Sequence, residues 1–293
     1  MKVSPIFYMG NKYKLLKQML PLFPETCRVF IDAFGGSGVV TMNYRGGTQV
    51  YNEINPNVIG LINMILTTDL DELNTYYLDK IQRYNLRTKS NKKHPELNAE
   101  GFYQLRKEYN SSANKEYKDL FLLLCYSMNH LLHFNKNNEF NASNGNDSYN
   151  EKNFNQLQDF KECFQGVKIM NKNVFDINFD ILGTDDFIYF DPPYFNTEAV
   201  YNEKRAFGGW DINCDFQLYE ICDKLTQKGI KWALSNVFVN RGKENTHLIK
   251  WCEDRQYAVS HLNRNYNPFS RGNSNNDEVL IMNYTQDGNI ISI

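Results

Sequence analysis

Near both ends of the chain, short apolar runs that end in loops alternate with segments of helical periodicity. A short apolar run bounded by turn residues is typical of a buried strand. Alternation of such strands with helices predicts an α/β sheet covered by helices. The predicted strands cover residues 29–33, 49–53, 167–170, 187–190, 231–235 and 278–284, and the predicted helices cover residues 56–66, 216–227 and 246–252.

The middle of the chain has a different pattern. Residues 70–132 are charged and have helical periodicity, without a good strand. Residues 134–141 follow, and their two short flanks around an Asn-Asn pair predict a β-hairpin or an exposed loop. We therefore predict an α/β domain made of residues 1–57 and 158–293, interrupted by a mainly helical insertion, residues 58–157, that carries the hairpin.

The composition is that of a folded protein, because 42% of the residues are hydrophobic and 23% are charged. The longest apolar run, residues 120–128, falls well short of the roughly 20 residues that span a bilayer, and it predicts a buried helix. Residues 3–9 are too few, and too soon followed by polar residues, for a signal peptide. We expect a cytoplasmic protein without a membrane partner.

The cysteines argue against a metal site. Six cysteines are scattered without a CxxC pair, and the five histidines make no metal-ligand spacing with them. Such a distribution is typical of buried, reduced thiols in a cytoplasmic protein. We predict reduced thiols and no metal at Cys27, Cys125, Cys163, Cys214, Cys222 and Cys252.

The charge leaves two interpretations open. A net charge of −2 argues weakly against a nucleic-acid partner, because phosphate contacts need Lys and Arg. The distribution of charge matters more than its total, and it fits a basic face and an ordinary solvated surface equally well. The basic residues cluster at Lys2, Lys12, Lys14 and Lys17, at Arg83, Arg87, Lys89, Lys92 and Lys93, and at Arg255, Arg264 and Arg271.

A glycine-rich turn follows the first predicted strand. Residues 34–38 (FGGSG) lead from this strand into a helix, so that the backbone can approach a ligand and present free N–H groups. Glu53 lies at the end of the next strand, where a carboxylate can bind both hydroxyls of a ribose. The dinucleotide pattern GxGxxG fails at Thr41, which favours S-adenosyl-L-methionine (AdoMet) over NAD. Taken alone, such a turn is also typical of a tight connection.

The segment FIYFDPPY, residues 187–194, is the most informative in the chain. A hydrophobic strand ends in Asp191, Pro192, Pro193 and Tyr194. Prolines cannot continue a central strand, and they lack an N–H donor while keeping their carbonyls. A stiff loop that terminates a strand explains Asp-Pro-Pro by itself. It does not explain all four features in this order after a buried strand.

These residue types suit methylation of an adenine amine. The amine is a poor nucleophile, because its lone pair is conjugated into the ring. Asp191 and the carbonyl of Pro192 can each accept one of its N–H hydrogens, which bares the lone pair toward the methyl group of AdoMet. Tyr194 offers a face on which a flipped base can stack, worth about 1–3 kcal/mol, and this offsets part of the cost of flipping. Positioning supplies much of the rate.

At these residues the chain resembles the Dam family of adenine-N6 DNA methyltransferases, also called the D12 class. Residues 191–194 match the family's catalytic tetrad and residues 34–38 its FxGxG loop, in the order of the alpha group. The likeness extends to residues 229–236 and 277–281, and so covers nearly the whole chain. It implies a Rossmann-like AdoMet-dependent methyltransferase domain with an inserted, mainly helical target-recognition domain, and double-stranded DNA as partner.

The resemblance also implies a set of cofactor-binding residues. Tyr8 stands where the family usually has Trp, and Glu53 stands at the ribose-binding acid. Asp176 matches an acid that receives the adenine amine of the cofactor. The residues implied for AdoMet are Tyr8, Lys12, Asp32, Phe34, Gly36, Gly38, Glu53, Asp176 and Asp191, and the catalytic residues are Asp191, Pro192, Pro193 and Tyr194.

Residues 134–141 resemble the hairpin with which the family reads its target in the major groove. Relatives that methylate GATC usually have an arginine where this chain has Asn137. Arg pairs with guanine and Asn with adenine, so the resemblance names no recognition sequence. A polar surface loop is the alternative. The residues predicted to contact DNA are Asn135, Asn137, Asn138, Arg264 and Arg271.

Other functions are alternatives. Cytosine-N4 and glutamine methyltransferases favour other tetrads, whereas methylation of RNA adenine fits the same one. A catalytically silent DNA-binding relative would bind duplex DNA but no cofactor. A companion restriction endonuclease that acts separately is compatible with the family. Trp210, after the tetrad, belongs either to a lid over the base or to a loop in which it is buried.

Overall fold

The chain divides into two units in the computed structural model, which describes residues 1–89, 94–194, 209–263 and 276–293. One of them, the helical unit, contains Met1–Asn11, Gly36–Met42 and Asn55–Gln165. The other, the sheet unit, contains Lys12–Gly35, Asn43–Ile54 and Gly166–Ile293. Each unit is therefore assembled from separate stretches of the chain. Within the described ranges, every helix is too short or too polar to cross a bilayer.

The sheet unit contains a mostly parallel sheet. Its strands within the described residues are β1 (Val29–Asp32), β2 (Thr48–Asn52), β3 (Lys168–Met170), β4 (Phe187–Phe190), β5 (Lys231–Asn240), β6 (Lys243–Glu244), β7 (Ala258–Leu262) and β8 (Asp277–Met282). Their order is β3-β2-β1-β4-β5-β8-β7, and β6 pairs with β5. Strands β1 to β5 pair in parallel, whereas the pairs β5–β6, β5–β8 and β7–β8 are antiparallel.

The helices lie between the strands in the chain. Those in the described ranges are α1 (Leu16–Met19), α2 (Val39–Asn43), α3 (Pro56–Thr67), α4 (Leu70–Arg83), α5 (Ala99–Ser111), α6 (Tyr117–Tyr126), α7 (Glu151–Cys163), α8 (Ile212–Gln227) and α9 (Thr246–Arg255). Short 3-10 turns occur at Leu20–Leu22, Pro95–Asn98, Met128–His130, Val174–Asp176 and Phe179–Ile181.

Trp232 on β5 lies in the hydrophobic core of the sheet unit. Its side chain is fully buried, and its indole N–H donates to the carbonyl of Cys222 on α8 at 2.9 Å. The ring of Trp251 on α9 stacks on it, with 5.8 Å between ring centroids. Helices α8 and α9 therefore cover the face of the sheet to which Trp232 points, and their burial of apolar side chains stabilises the sheet.

Phe23 covers the opposite face of the same sheet. Its ring contacts those of Phe187 and Tyr189 on β4, with centroid distances of 5.0 and 5.3 Å. Phe23 directly follows α1 and the turn Leu20–Leu22, and its ring packs this segment of the chain on β4. The sheet thus has apolar layers on both faces, as a mostly parallel sheet requires.

The helical unit is built around α6. Seven consecutive residues of this helix, 120–126, are buried, which is typical of a helix surrounded on all sides. The ring of Tyr77 on α4 stacks on Phe121, with 5.8 Å between centroids, and meets Tyr149 edge-on at 4.9 Å. The predicted helical character of the middle of the chain is therefore present in the structure.

The sequence predicted the type of these elements better than their ends. Strands were predicted at the positions of β1, β2, β3, β4, β5 and β8, and helices at those of α3, α8 and α9. Strands β6 and β7 were not predicted. The buried helix predicted over residues 120–128 ends at Tyr126, because the backbone of Ser127 is extended, with φ −82° and ψ 153°. The α/β class is confirmed, and the predicted domain bounds stay a prediction.

All six cysteines lie within the described residues and carry free thiols, as predicted. Four of them are buried, but Cys27 and Cys214 are partly exposed, so the expectation that all are buried was wrong for these two. Burial raises the pKa of the Cys125 and Cys222 thiols, which keeps them protonated.

Candidate active site

The carboxyl ends of β1 and β4 meet at the point where the strand order reverses. From β1 the chain continues to β2 and β3 on one side of the sheet, whereas β4 and β5 lie on the other side. Asp32, the last residue of β1, is level with Tyr189 of β4, and the N–H of Ala33 donates to the Tyr189 carbonyl at 3.0 Å. Open α/β sheets bind ligands at such a reversal, outside the carboxyl ends of the strands.

Asn52, the last residue of β2, holds three chain segments together at this edge. Its side-chain amide donates to the carbonyls of Ala33 and Lys172, at 3.0 and 3.1 Å, and its side chain is 1% exposed. Its own carbonyl accepts the N–H of Gly35 at 2.7 Å. The sequence did not indicate Asn52 as a site residue. The signal for it was a polar side chain at the end of a predicted buried strand.

Gly35 packs directly on the ring of Tyr51. A Cβ atom built at Gly35 would lie 2.0 Å from a ring carbon, so only glycine fits here. Tyr51 is fully buried on β2. Burial raises its pKa far above the ordinary value, and the carboxylates of Glu53 and Asp32 raise it further. The Tyr51 hydroxyl therefore stays protonated and neutral, and the glycine turn packs on the Tyr51 ring.

Two predicted cofactor glycines, Gly36 and Gly38, belong to the helical unit, as does Tyr8. Gly36 and Gly38 have φ values of +49° and +73°, in the region that favours glycine. A Cβ atom at Gly36 would lie 3.0 Å from the ring of Tyr8, and one at Gly38 would lie 2.6 Å from the ring of Phe164. Backbone conformation therefore favours glycine at both positions, and close packing requires it at Gly38.

Two predicted cofactor acids differ in exposure. Glu53 directly follows β2 and is 4% exposed, and its N–H donates to the carbonyl of Met170 at 3.2 Å. Asp176 ends the 3-10 turn that begins at Val174, and it is exposed. The side chain of Asn173 caps this turn, by accepting the N–H of Phe175 at 3.1 Å.

Asp191 directly follows β4 and forms a buried ion pair with Lys12. The Lys12 Nζ lies 2.7 Å from Oδ2 of Asp191, and the two side chains are 3% and 18% exposed. Lys12 is placed by a turn in which its carbonyl accepts the N–H groups of Leu15 and Leu16. The ion pair joins one residue predicted to bind the cofactor to another predicted to be catalytic.

Tyr194 lies on the other side of the Lys12 ammonium group. The Nζ atom is 5.0 Å from the centroid of the Tyr194 ring, within the range of a cation–π interaction. Pro192 is buried, and Pro193 and Tyr194 are half-buried. The four residues of the tetrad therefore follow a buried strand without continuing it, as the prolines predicted.

Tyr189 and Ser235 form a buried hydroxyl pair beneath the tetrad. Their oxygens are 2.7 Å apart, and both side chains are 1% exposed. Burial raises the Tyr189 pKa far above its ordinary value, and the charge of Asp191 raises it further. The Tyr189 hydroxyl therefore stays protonated and neutral, within the electrostatic influence of Asp191.

An aromatic cluster lies near the end of β1. Trp210 meets Phe34 edge-on, with 5.4 Å between centroids, and stacks on Phe175 at 5.7 Å. Trp210 is half-buried against these rings. Residues 207 and 208, which precede it in the predicted lid, lie outside the described ranges. Phe175 is a site candidate that the sequence did not indicate.

The predicted DNA-reading loop belongs to the helical unit. A single antiparallel bridge, Phe134 with Phe140, closes it, and Asn138 has a φ of +57°. The side-chain oxygen of Asn135 accepts the N–H groups of Asn137 and Glu139, at 2.9 and 3.0 Å. Asn137 and Asn138 are exposed, whereas the amide of Asn135 holds the turn. Arg264 and Arg271 lie outside the described residues.

In the part of the chain that the structure describes, no three His, Cys, Asp or Glu side chains come together in a way that would hold a metal ion.

The sequence as a whole matches a known family. The profile of the D12 class N6 adenine-specific DNA methyltransferases matches residues 8–266. The chain belongs to this family. The resemblance drawn from the tetrad and the glycine loop is therefore confirmed, and with it the membership of a transferase family.

Individual relatives agree with the D12 class. The modification methylase StsI of Streptococcus sanguinis and the type II methyltransferase M.FokI of Planomicrobium okeanokoites are each 34% identical over 96% of this chain. The chain spans 43% of the length of either relative. The DNA adenine methylase of Vibrio cholerae is 26% identical, over 93% of both chains. The chain therefore matches nearly the whole length of one relative and less than half the length of the two others.

Proposed function

We propose that the chain transfers a methyl group from AdoMet to the N6 amine of a flipped adenine at specific sites in duplex DNA, in the cytoplasm. The observation that carries the proposal is the Lys12–Asp191 ion pair beside Tyr194, at the carboxyl edge where the strand order reverses. A carboxylate, a proline carbonyl and an aromatic face follow one another in this segment. Membership of the D12 class supports the choice of adenine in DNA.

The amine of the adenine is the group on which these residues act. The Asp191 carboxylate and the Pro192 carbonyl each accept one of its N–H hydrogens, which favours a pyramidal nitrogen with an available lone pair. The half-buried ring of Tyr194 stacks on the flipped base. The enzyme needs no nucleophile of its own, and positioning of the amine supplies much of the rate. When bound, AdoMet supplies an electrophilic methyl group on its sulfonium sulfur.

Lys12 keeps Asp191 in the form that the reaction uses. A carboxylate accepts hydrogen bonds from the amine, whereas a protonated acid would occupy one oxygen with its own hydrogen. A buried cation at 2.7 Å favours the ionised form. We therefore extend the proposed role of Lys12 from a cofactor contact to a residue that also positions Asp191.

The residues of the sheet unit fit AdoMet. Gly35 permits close approach of the chain only because it lacks a Cβ atom, and Phe34 beside it is half-buried. Glu53 and Asp32 are carboxylates at the ends of two adjacent strands, with exposures of 4% and 1%. A positively charged ligand with ribose hydroxyls suits such carboxylates. We propose that Asp32, Phe34, Glu53, Asp176 and Asp191 of this unit bind AdoMet together with Lys12.

We also propose as cofactor contacts three further residues that the sequence indicated: Tyr8, Gly36 and Gly38. The left-handed backbone of both glycines supports this proposal, because it turns successive N–H groups to the same side of the chain.

We propose that residues 58–157 form the target-recognition domain. The exposed side chains of Asn137 and Asn138, on a tight turn held by Asn135, support a role in reading bases in the major groove. Arg264 and Arg271 are proposed to contact the phosphate backbone. The names of relatives such as the modification methylase StsI support a companion restriction endonuclease that acts separately.

Methyl transfer from labelled AdoMet tests the proposed function. The purified chain is incubated with plasmid DNA, and methylated adenines are mapped by sequencing. Label is expected on adenine N6 at a defined set of sites, and none on an RNA duplex of the same sequence or on cytosine N4. Absence of label from every adenine would overturn the proposed function.

Asp191→Ala tests the mechanism in the same assay, and near-total loss of methyl transfer is expected. Asp185→Ala is the matched control, because Asp185 is exposed and lies just before the other end of β4. This control should retain the wild-type rate. If Asp191→Ala also retains it, the carboxylate does not activate the amine.

A further inference from the structure

Trp210 bridges two aromatic side chains that come from different parts of the sheet unit. Phe34 directly precedes the glycine turn, and Phe175 directly precedes Asp176. The Trp210 ring is nearly parallel to that of Phe175, at 17°, and nearly perpendicular to that of Phe34, at 77°. All three rings are half-buried, so they keep an exposed part. An aromatic cluster with exposed faces suits a planar, uncharged ring such as a purine.

A buried carboxylate fixes the orientation of Trp210. The indole N–H donates to Oδ1 of Asp215 on α8 at 2.8 Å, and Asp215 is 1% exposed. Its other oxygen, Oδ2, lies 3.6 Å from Nε2 of His247 on α9. A hydrogen bond from an indole to a carboxylate is directional, so it sets the angle of the ring as well as its place.

Burial of the Asp215 carboxylate costs free energy. Burial raises the pKa of Asp215, which shows that the surroundings disfavour its charge, while the Trp210 N–H and His247 oppose the shift only in part. An apolar residue of similar size would pack in the same place without this cost. What an apolar residue cannot do is accept the indole N–H. A positional role for the ring therefore accounts for the acid.

A second aspartate on α8, Asp223, also accepts an indole N–H, but it serves only the packing of the fold. Asp223 accepts the indole N–H of Trp251 at 3.1 Å, and it also pairs with Arg255 and Tyr257. Its charge is balanced by an adjacent cation, and Trp251 stacks on Trp232 in the hydrophobic core. Asp223 thus secures the packing of α9 on α8. Asp215 instead secures a tryptophan whose neighbours are Phe34 and Phe175.

We propose that Asp215, with His247 beside it, is a positioning residue for AdoMet. It holds Trp210 at the angle at which Phe34, Phe175 and Trp210 form an aromatic wall for the adenine ring of the cofactor. The inference rests on the proposed function. It adds a residue that touches neither the cofactor nor the reacting atoms, and it assigns Trp210 and Phe175 to the cofactor site.

Asp215→Ala tests the inference through binding and steady-state kinetics. The dissociation constant and the KM for AdoMet are expected to rise about tenfold or more, because the indole loses a charged acceptor. The kcat at saturating AdoMet should change little, since the groups on the amine are untouched. Asp215→Asn keeps an acceptor oxygen, and it should bind AdoMet within about threefold of wild type.

Asp223→Ala is the matched control, because Asp223 also lies on α8 and accepts the indole N–H of Trp251. It should lower the melting temperature and leave the AdoMet dissociation constant unchanged. Equal weakening of AdoMet binding in both variants would overturn the inference, because it would mean that loosening α8 is sufficient.

Fluorescence supplies a readout that a purely structural role would not change. The chain has three tryptophans, and AdoMet is expected to quench the wild-type emission but not that of Trp210→Phe. This variant keeps a ring and lacks the N–H, so it should also show the weakened binding, even if Asp215→Ala does not fold. Wild-type affinity in Trp210→Phe overturns the inference. Failure of the wild-type chain to bind AdoMet overturns the proposed function instead.

Discussion

The ammonium group of Lys12 lies 2.7 Å from a carboxylate oxygen of Asp191, and the lysine side chain is 3% exposed. An ion-pair partner stabilises a charge buried to this degree, because desolvation disfavours the charge. The ion pair therefore contributes both to the stability of the fold and to the proposed activation of the amine. The residue that holds Lys12 in place is the one proposed to accept a hydrogen from the substrate.

Replacing Lys12 by Met should impair both stability and activity. The variant leaves Asp191 without its cation, so the free energy of unfolding should fall by about 1–3 kcal/mol, less than for a fully buried pair because Asp191 is 18% exposed. Methyl transfer should fall more than AdoMet binding does. Urea denaturation and single-turnover methylation measure the two effects.

Lys14→Met is the matched control for that change. Lys14 is exposed, two residues further along the same segment. Its replacement should alter the free energy of unfolding by less than about 0.5 kcal/mol. Lys12→Met with the activity of Lys14→Met would remove the link between the ion pair and catalysis.

Gly35→Ala should destabilise the glycine turn. The added methyl group would lie 2.0 Å from the ring of Tyr51, which is fully buried and cannot move aside. Overpacking of this kind costs about 1–3 kcal/mol of unfolding free energy, which urea denaturation measures. AdoMet binding should weaken as well. Gly183→Ala is the control, since a Cβ atom there meets nothing within 4 Å. Equal stability of the two variants would contradict the packing argument.

The pH dependence of stability should differ between wild type and Asp215→Asn. Burial raises the Asp215 pKa above its ordinary value of 3.8 in the folded state. At a pH between the ordinary pKa and the raised pKa of the folded state, the folded chain binds more protons than the unfolded one. The contribution of Asp215 to the unfolding free energy therefore falls as pH rises through this range. His247, Asp211 and the Trp210 N–H face the same carboxyl group, and the variant keeps all three.

Urea denaturation of both chains from about pH 4 to pH 8 measures this effect. The unfolding free energy of wild type minus that of the variant should decrease as pH rises from the ordinary value upward. A difference that stays constant, or that increases with pH, would show that the carboxylate is not disfavoured by burial.

Two asparagines of the predicted DNA-reading loop should respond differently to substitution. Asn137 is exposed, so Asn137→Arg should shift the methylated sites toward sequences with a guanine, measured by sequencing methylated adenines. Asn135 holds the turn through two accepted N–H bonds. Asn135→Ala should therefore lower methylation at all sites without a new preference. An unchanged site preference in Asn137→Arg would argue against the loop as the reader.

Local patterns predicted those features that depend on neighbours in sequence. The alternation of apolar and polar residues predicted β1, β2 and β4, because each is a short run that is buried on the sheet. The order Asp-Pro-Pro-Tyr after a buried strand predicted an irregular segment at the end of β4. β7 was missed because its sequence, AVSHL, is half polar, and its place is set by pairing with β8.

By itself the sequence determined the family, the α/β class and the identity of the residues proposed to activate the amine. These follow from residue type and order, which are local properties. Only the tertiary structure decided that Lys12 pairs with Asp191, that Asn52 joins three chain segments and that Asp215 holds Trp210. Each of those contacts joins positions that the sequence separates, and burial and desolvation, which set their worth, exist only once the chain has folded.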